Sequence, residues 1–322
     1  MKSKMMTVAE TVDWLAANDG FLILTHRRPD GDAVGSAGAL AQGLREYGKA
    51  AYVLYNPDTT PRYERFINDY IAPDGYVPEH IITVDTAAVD LFPKNGAEYI
   101  ESVSLCIDHH PSNANYADLI CLDGSCASCG EIIFEILLSL NGKISAKSAE
   151  RLYVALTTDT GCFSYANTTA NTLRIASLVV EAGAPQKELN RLLFRTKTRS
   201  RIKIEGMIFS GLEFYFDGAV AISVITRNML AETEATEDDI DDIAAIPGAV
   251  KDVLVGITIR ELTSTRDCKV SVRTGPLVNS NDICTRFNGG GHAMAAGFSL
   301  DESVSEIKEK LLRILPDHIP KT

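Results

Sequence analysis

The chain has 322 residues, 45% of them hydrophobic and 23% charged, with a mean hydropathy of +0.01. That composition belongs to a soluble globular protein and excludes a disordered chain or a collagen-like fibre. Lys and Arg number 31 against 43 Asp and Glu, giving a net charge of −12. This argues against a long nucleic-acid track, whose affinity would need many Lys and Arg contacts to phosphates. No apolar run reaches about 18 residues, so no spanning helix and no membrane partner are expected. The opening MKSKMMTVAE has no apolar stretch behind it, as a secretory signal would. A cytoplasmic enzyme of two domains is the expectation.

An apolar run at Phe21–Thr25 leads into a glycine-containing polar turn and an amphipathic stretch at Ala33–Tyr47, which Gly48 is placed to end. Apolar runs recur at Ala51–Tyr55, Ile81–Val84 and Val103–Ile107, each followed by polar residues. This alternation predicts an α/β domain: a mostly parallel sheet with helices on both faces. Ser128 and Glu131 have capping-box spacing ahead of Ile132–Leu140, and helical patterns run through Ser148–Thr157 and Thr172–Glu181. Gly183-Ala184-Pro185 interrupts the pattern. From Gln186 to about Ser210 the chain reads as helical and basic, with Arg195, Lys197, Arg199, Arg201 and Lys203 either on a solvated helix or reaching toward a nucleotide.

Beyond it, Glu213–Phe216, Asp217-Gly218 and Val220–Ile225 form a hairpin signature. Val253–Ile259 and Lys269–Val272 read as further strands, and a helix from about Ser303 to Leu315 closes a smaller α+β domain. The expected division is a catalytic domain over 1–185, a helical connector over 186–211 and a substrate domain over 212–322. The stretch Glu232–Asp242, with seven acids and no base, reads as a solvated helix start. Arg260, at the end of an apolar strand, reads as an ion-pair residue. The seven cysteines have no framework spacing, and Cys126-x-x-Cys129 lacks the second pair of a thiolate zinc site.

The chemistry concentrates at strand ends, where ligands bind in open α/β sheets. His26, Asp30 and Asp32 follow the first strand, although the two aspartates also suit the capping of a helix. Asp85 ends the run from Ile81; Asp108, His109 and His110 end the run from Leu105. Asp159 lies in a glycine-containing turn after Leu156. With parallel strands these four clusters line one edge. Carboxylates so gathered repel one another, and their pKa values rise unless cations neutralise them. Four or five carboxylates with two or three imidazoles exceed one ion's needs, so two divalent cations sharing a bridging carboxylate are expected. Oxygen and imidazole donors without thiolates suit Mn²⁺, with Mg²⁺, Co²⁺ or Zn²⁺ as alternatives.

The motifs His26…Asp30-x-Asp32, Val84-Asp85, Asp108-His109-His110 and Thr158-Asp159-Thr160 resemble those of the DHH phosphoesterase superfamily. Lys269–Arg273 and Gly289-Gly290-Gly291-His292…Ala295-Ala296-Gly297 resemble its DHH-associated domain, so the likeness covers nearly the whole chain. By size and motif order the chain is similar to the NrnA-type oligoribonucleases, which also dephosphorylate adenosine 3′,5′-bisphosphate. The resemblance implies His26, Asp30 and Asp85 on one metal ion and Asp32, Asp85, His109 and Asp159 on the other, with Asp85 bridging. It places His110 at the substrate phosphate and Asp108 beside an imidazole that it orients. Arg273, His292 and the backbone of Gly289, Gly290 and Gly291 would hold phosphate from the second domain. Ala293 and Asn288 depart from the Lys and Gly common at those places.

The function implied is two-metal hydrolysis of short RNA, from dimers to about pentamers including linear dinucleotides, and of adenosine 3′,5′-bisphosphate. The rivals are a RecJ-like single-strand exonuclease and, from another class, a non-catalytic nucleotide sensor. Whether the chain forms a homodimer is open.

Overall fold

Two short apolar strands and a glycine-bearing helix set the geometry from which the rest of the first unit is built. The structure, a computed structural model, describes residues 3–240, 243–262 and 267–320. The chain divides into two units, Met1–Thr196 and Lys197–Thr322. The first runs β1 (Lys4–Met5), α1 (Val8–Ala17), β2 (Phe21–Leu24), α2 (Gly31–Glu46), β3 (Ala51–Val53), α3 (Pro61–Glu64), β4 (His80–Val84), β5 (Val103–Asp108) and β6 (Leu119–Leu122). It continues with α4 (Cys129–Asn141), α5 (Ala146–Asp159), α6 (Ala170–Glu181) and α7 (Gln186–Asn190).

The six strands pair in parallel in the order β1-β6-β5-β4-β2-β3. Successive residues of a strand face opposite ways. Phe21 and Ile23 therefore join Ile82, Val84, Leu105 and Ile107 in a core closed by α1, α2, α4 and α5. Leu22, Leu24, Ile81 and Cys106 face the other side, where 3₁₀ turns at Val89–Leu91 and Lys94–Ser102 and the rings of Phe92, Tyr99 and Tyr116 cover them. Both faces of the parallel sheet are thus buried, as its continuous apolar runs require.

Helices α2 and α5 pack at backbone contact. A Cβ on Gly35 would lie 2.5 Å from the carbonyl oxygen of Arg151 and 2.8 Å from the amide of Ala155, so only glycine fits there. This contact brings the C-terminus of α5 beside the N-terminus of α2, and so Asp159 toward Asp30 and Asp32. The capping box expected of Ser128 and Glu131 does not form: the Ser128 side chain makes no cap bond. The Asp32 carboxylate takes its place, accepting from the amides of Cys129 at 2.7 Å and Gly130 at 3.0 Å. Glu131 instead accepts from the Ala127 amide, Thr172 and Asn171, tying α4 to the start of α6.

The second unit runs α8 (Arg199–Ser210), β7 (Glu213–Tyr215), β8 (Val220–Ile225), α9 (Arg227–Thr233), β9 (Val255–Glu261), β10 (Cys268–Thr274), α10 (Ser280–Thr285), β11 (Gly290–Gly291), β12 (Ala295–Leu300) and α11 (Val304–Ile314). Its sheet has the order β11-β12-β10-β9-β8-β7, antiparallel except between β8 and β9. Ile283 and Cys284 of α10 and Ile307 and Leu311 of α11 pack with Ile257, Val270 and Val272 of the strands. Segment 186–211 is shared: α7 and a π turn at Arg191–Arg195 belong to the first unit, α8 to the second.

Two of the five basic residues there are spent on structure, because Lys197 and Arg201 bind Glu205 at 2.7 and 2.6 Å. The acidic stretch after α9 is not simply a solvated helix start. Asp239 is buried, accepts from Thr198 and from the Thr236 amide and hydroxyl, and lies in a 3₁₀ turn at Asp238–Ile240. Asp241 and Asp242 lie outside the described residues. Arg260 pairs with Glu237, as an ion-pair residue would. No helix among the described residues is long and apolar enough to cross a membrane.

Candidate metal centre

Three of the four motif clusters sit on the C-terminal edge of the parallel sheet. His26 follows β2, Asp85 follows β4, and Asp108, His109 and His110 lie at the end of β5. The fourth does not come from a strand end. Asp159 is the last residue of helix α5, so the expected four-strand edge is corrected to three strand ends and one helix C-terminus. Within it the β-branched Thr157 and Thr158 turn their hydroxyls back onto the carbonyls of Tyr153 at 2.6 Å and Val154 at 2.9 Å, as Thr in a helix commonly does. A helix C-terminus carries partial negative charge, a poor place for a carboxylate without a counter-ion.

Ligating atoms of these residues fall into three groups, each with members within 4.8 Å of one another: His26, Asp30 and Asp85; Asp32, His109 and Asp159; and Asp85, His109 and His110. Asp85 belongs to two of them. Its Oδ2 lies 3.8 Å from Nε2 of His26, and its Oδ1 lies 3.4 Å from Nε2 of His109. Nε2 of His109 is also 3.4 Å from Asp159 and 3.8 Å from Asp32. Asp85 holds a φ of +52°, a left-handed conformation uncommon for a residue with a side chain.

The imidazoles are held from behind. Nδ1 of His26 faces the Arg27 carbonyl at 2.8 Å, and Nδ1 of His109 faces the Cys126 carbonyl at 3.2 Å. A proton on each Nδ1 satisfies those contacts and turns the Nε2 lone pair toward the carboxylates. Nδ1 of His110 donates to Asp108 at 2.8 Å. The second oxygen of Asp108 accepts from Asn113 at 2.6 Å, a residue the sequence reading missed; its signal was an Asn just past the triplet, in turn context. Asp30 caps α2 through the amides of Asp32 and Ala33, as expected, and its carboxylate also lies within 4.8 Å of the potential ligating atoms of His26 and Asp85.

The charge balance asks for a cation. Oδ1 of Asp85 and Nε2 of His109 are both buried and have no hydrogen-bond partner, although they face each other. Two lone pairs left so close in the interior fit a shared divalent ion. Burial, and then the neighbouring aspartates, push Asp85 well above the usual carboxylate range. Burial raises Asp32 to about 6 and, with the charges of Asp32, Asp30 and Asp85, Asp159 to about 9. Burial acts to lower His109, but the charges of Asp32 and Asp159 outweigh it and the imidazole is raised. Protons thus do in part what a cation would do. Asp108 differs: burial opposes its charge, yet the hydrogen bond from His110 and others outweigh it, and its carboxyl is held low. No thiolate belongs to any group, so oxygen and nitrogen ligation fits the donor set.

The residues expected to hold phosphate lie in the second unit. Arg273 is on β10 and His292 is exposed in the tight turn between β11 and β12. The glycines have a structural use of their own. A Cβ on Gly289 would come within 2.4 Å of the Gly297 carbonyl oxygen, and one on Gly291 within 2.6 Å of that of Ala295. Gly289 donates its N–H to Cys284 at 3.0 Å and Gly291 to the Asn281 side chain at 3.1 Å. Two of the three N–H groups expected to face phosphate are therefore engaged within the unit. Asn288 has a φ of +58°, the conformation glycine serves most easily and Asn tolerates better than most, which accounts for that departure from the pattern.

With this geometry in hand, the chain can be placed among known proteins. Residues 20–157 match the DHH family, N-terminal domain, and residues 217–317 match the DHHA1 domain. The bifunctional oligoribonuclease and PAP phosphatase NrnA of Thermus thermophilus is 31% identical over 92% of this chain and 88% of its own length. The protein of the same name from Bacillus subtilis is 28% identical over 90% and 92%. An exopolyphosphatase-related protein from Bacteroides fragilis, 23% identical, superposes with a TM-score of 0.86 over 96% of each chain, which shows a common fold. The chain belongs to the DHH family of metal-dependent phosphoesterases, in the form that carries a DHHA1 domain.

Proposed function

We propose that this phosphoesterase hydrolyses short oligoribonucleotides, roughly two to five nucleotides long and linear dinucleotides among them, and removes a phosphate from adenosine 3′,5′-bisphosphate, in the cytoplasm. The observation that carries the reading is the pair of orphaned atoms, Asp85 Oδ1 and His109 Nε2, at the junction of three ligating groups. The full-length likeness to proteins named oligoribonuclease and PAP phosphatase supports the substrate class.

In this reading His26, Asp30 and Asp85 hold one divalent ion and Asp32, Asp85, His109 and Asp159 hold a second, Mn²⁺ being the first choice. Such ions supply positive charge to phosphate oxygens and make water a stronger nucleophile near neutral pH. Asp108 fixes the Nδ1 proton of His110, leaving Nε2 of that ring to exchange a hydrogen bond with the phosphate or the leaving oxygen. Arg273 and His292 contact substrate phosphate; their part, and that of the Gly289–Gly291 run, in which the Gly289 and Gly291 N–H groups are already engaged, rests on the motif resemblance.

Product analysis on labelled RNAs of about two to twenty nucleotides, beside adenosine 3′,5′-bisphosphate and with Mn²⁺ present, tests the reading. Fast cleavage of dimers, release of phosphate from the bisphosphate and slow, salt-sensitive cleavage of the longest strand are expected. Equal or faster cleavage of the longest strand would reject the short-substrate reading.

A further inference from the structure

Immediately after Asp159 the backbone takes a course that holding a metal does not require. Gly161, Cys162 and Phe163 have φ values of +54°, +54° and +66°, a left-handed turn in which two of three residues carry side chains. Strain of this kind persists only where the surroundings over-determine it. Here they do. The Phe163 ring packs edge-on against Tyr153, with centroids 6.3 Å apart. The Phe163 amide donates to the Thr160 hydroxyl at 3.1 Å, and the amides of Ser164 and Tyr165 donate to the Thr160 carbonyl at 2.8 and 3.0 Å. The Asn167 side chain reaches back to the carbonyls of Asp159 at 3.0 Å and Ala127 at 3.2 Å.

What this braced turn presents is Tyr165, 57% exposed. Its ring is not loose. A Cβ on Gly161 would lie 2.4 Å from two ring carbons, so the ring rests on bare backbone and leaves other surface open to solvent. Gly161 is two residues from Asp159, at most about 7.6 Å along the Cα trace. A nucleobase is separated from its own phosphate by one ribose, so a base can lie over this ring while its phosphate lies on the ion that Asp159 would help to hold. A fixed, open aromatic ring beside a phosphate site is what bases stack on.

We propose that Tyr165 is a specificity-determining residue: a stacking platform for a nucleobase of the substrate whose phosphate would be held by the cation at the Asp32, His109 and Asp159 group. The inference rests on the nucleotide substrate proposed above. The platform selects nucleotides over other small phosphate esters without hydrogen-bonding a base edge, so it accepts all four bases.

The test compares kcat/KM for a dinucleotide and for its counterpart lacking both bases, in the wild type and in Tyr165→Ala, Tyr165→Phe and Tyr165→Trp. In Tyr165→Ala the ratio of dinucleotide to abasic kcat/KM falls about tenfold, through KM, while the Phe and Trp variants stay within about threefold of wild type. Equal losses on both substrates, or Tyr165→Phe behaving as Tyr165→Ala, would overturn the proposal. A second measurement needs no turnover. A dinucleotide bearing 2-aminopurine loses fluorescence when its base stacks, and this quenching is expected with wild type and reduced in Tyr165→Ala; equal quenching in both, or none with wild type, overturns stacking. A wild type that quenches but does not cleave dinucleotides would instead count against the proposed activity.

Discussion

Buried carboxylates occur in both units, and those of the first unit's ligating groups behave in the opposite way to those of the second unit. Asp32 and Asp85 in the first unit are 0% and 3% exposed; Glu205 and Asp239 in the second are both 8% exposed. Burial opposes ionisation in all four. Glu205 nevertheless stays below the usual carboxylate range, because Lys197 and Arg201 donate to it, and Asp239 does so because Thr198 and Thr236 donate to it. Asp32 and Asp85 are raised. Asp32 has helix-end amides for partners but also faces another aspartate, and Asp85 has an oxygen with no hydrogen-bond partner, only the imidazoles of His109 and His110 at 3.4 and 3.6 Å. Glu205 and Asp239 have donors that outweigh burial, whereas the carboxylates of the ligating groups are gathered with other aspartates, which adds to the cost of burial even where donors are present, as at Asp32. This contrast separates site from scaffold more sharply than burial does.

The largest expected effect comes from breaking the shared position. Asp85→Ala should lower turnover on a dinucleotide by on the order of a thousandfold, beyond rescue by added Mn²⁺. Asp159→Ala should be partly rescued, since Asp159 belongs to only one ligating group. Steady-state rates over a Mn²⁺ titration measure both. Next come Arg273→Ala and His292→Ala, each expected to cost about 2–4 kcal/mol of transition-state stabilisation while metal content stays at the wild-type level. Metal analysis beside kinetics checks this, and loss of metal from either variant would erase the assigned division of labour.

A smaller effect appears in the metal-free protein. Asp159→Asn should gain about 1–3 kcal/mol of stability at pH 8, because at that pH the native Asp159 carboxyl, raised to about 9, must take up on folding a proton that the unfolded chain has lost, and an amide need not. Glu205→Gln should lose a similar amount, because it leaves Lys197 and Arg201 facing a weaker acceptor. Urea unfolding measures the pair, and a loss in both would mean the two sets of carboxylates are alike.

The smallest effect is the pH dependence that follows. A carboxylate whose folded pKa is raised costs stability progressively as pH climbs from its unfolded value, about 4, to its folded value. For Asp32 and Asp159 that window closes at about 6 and about 9. Glu205 and Asp239 have the reverse sign: their contribution is complete above their unfolded values and is lost as pH falls through the folded ones. Metal-free melting temperatures should therefore decline from pH 6 toward 9, and the upward shift caused by Mn²⁺ should grow over the same interval. A Mn²⁺ shift that shrinks as pH rises would contradict the assignment.

Much of the site was legible because its signals are local. His26, Asp85 and the Asp108-His109-His110 triplet each follow an apolar run, and a parallel sheet places such ends together. Asp159 was grouped with the strand ends although a helical pattern was read through Ser148–Thr157; that helix runs two residues further and ends on Asp159 itself. The second role of Asp32, at the start of α4, spans 97 residues of sequence and leaves no local trace. In the second unit the glycine run was read for its freedom to approach phosphate, whereas Gly289 and Gly291 are demanded by β12. Strand β1 and helix α1 were missed, although Thr7 and Glu10 form the capping box that marks the helix start.

The central claim is that one carboxylate, Asp85, is shared by two divalent ions. Electron paramagnetic resonance of the Mn²⁺-loaded protein, combined with a metal count per chain, tests it most directly. Two ions per chain with a spin-coupled spectrum are expected for the wild type, and loss of the coupling, with fewer than two ions, for Asp85→Asn. A single ion in the wild type, or a coupled pair that survives Asp85→Asn, would contradict the account.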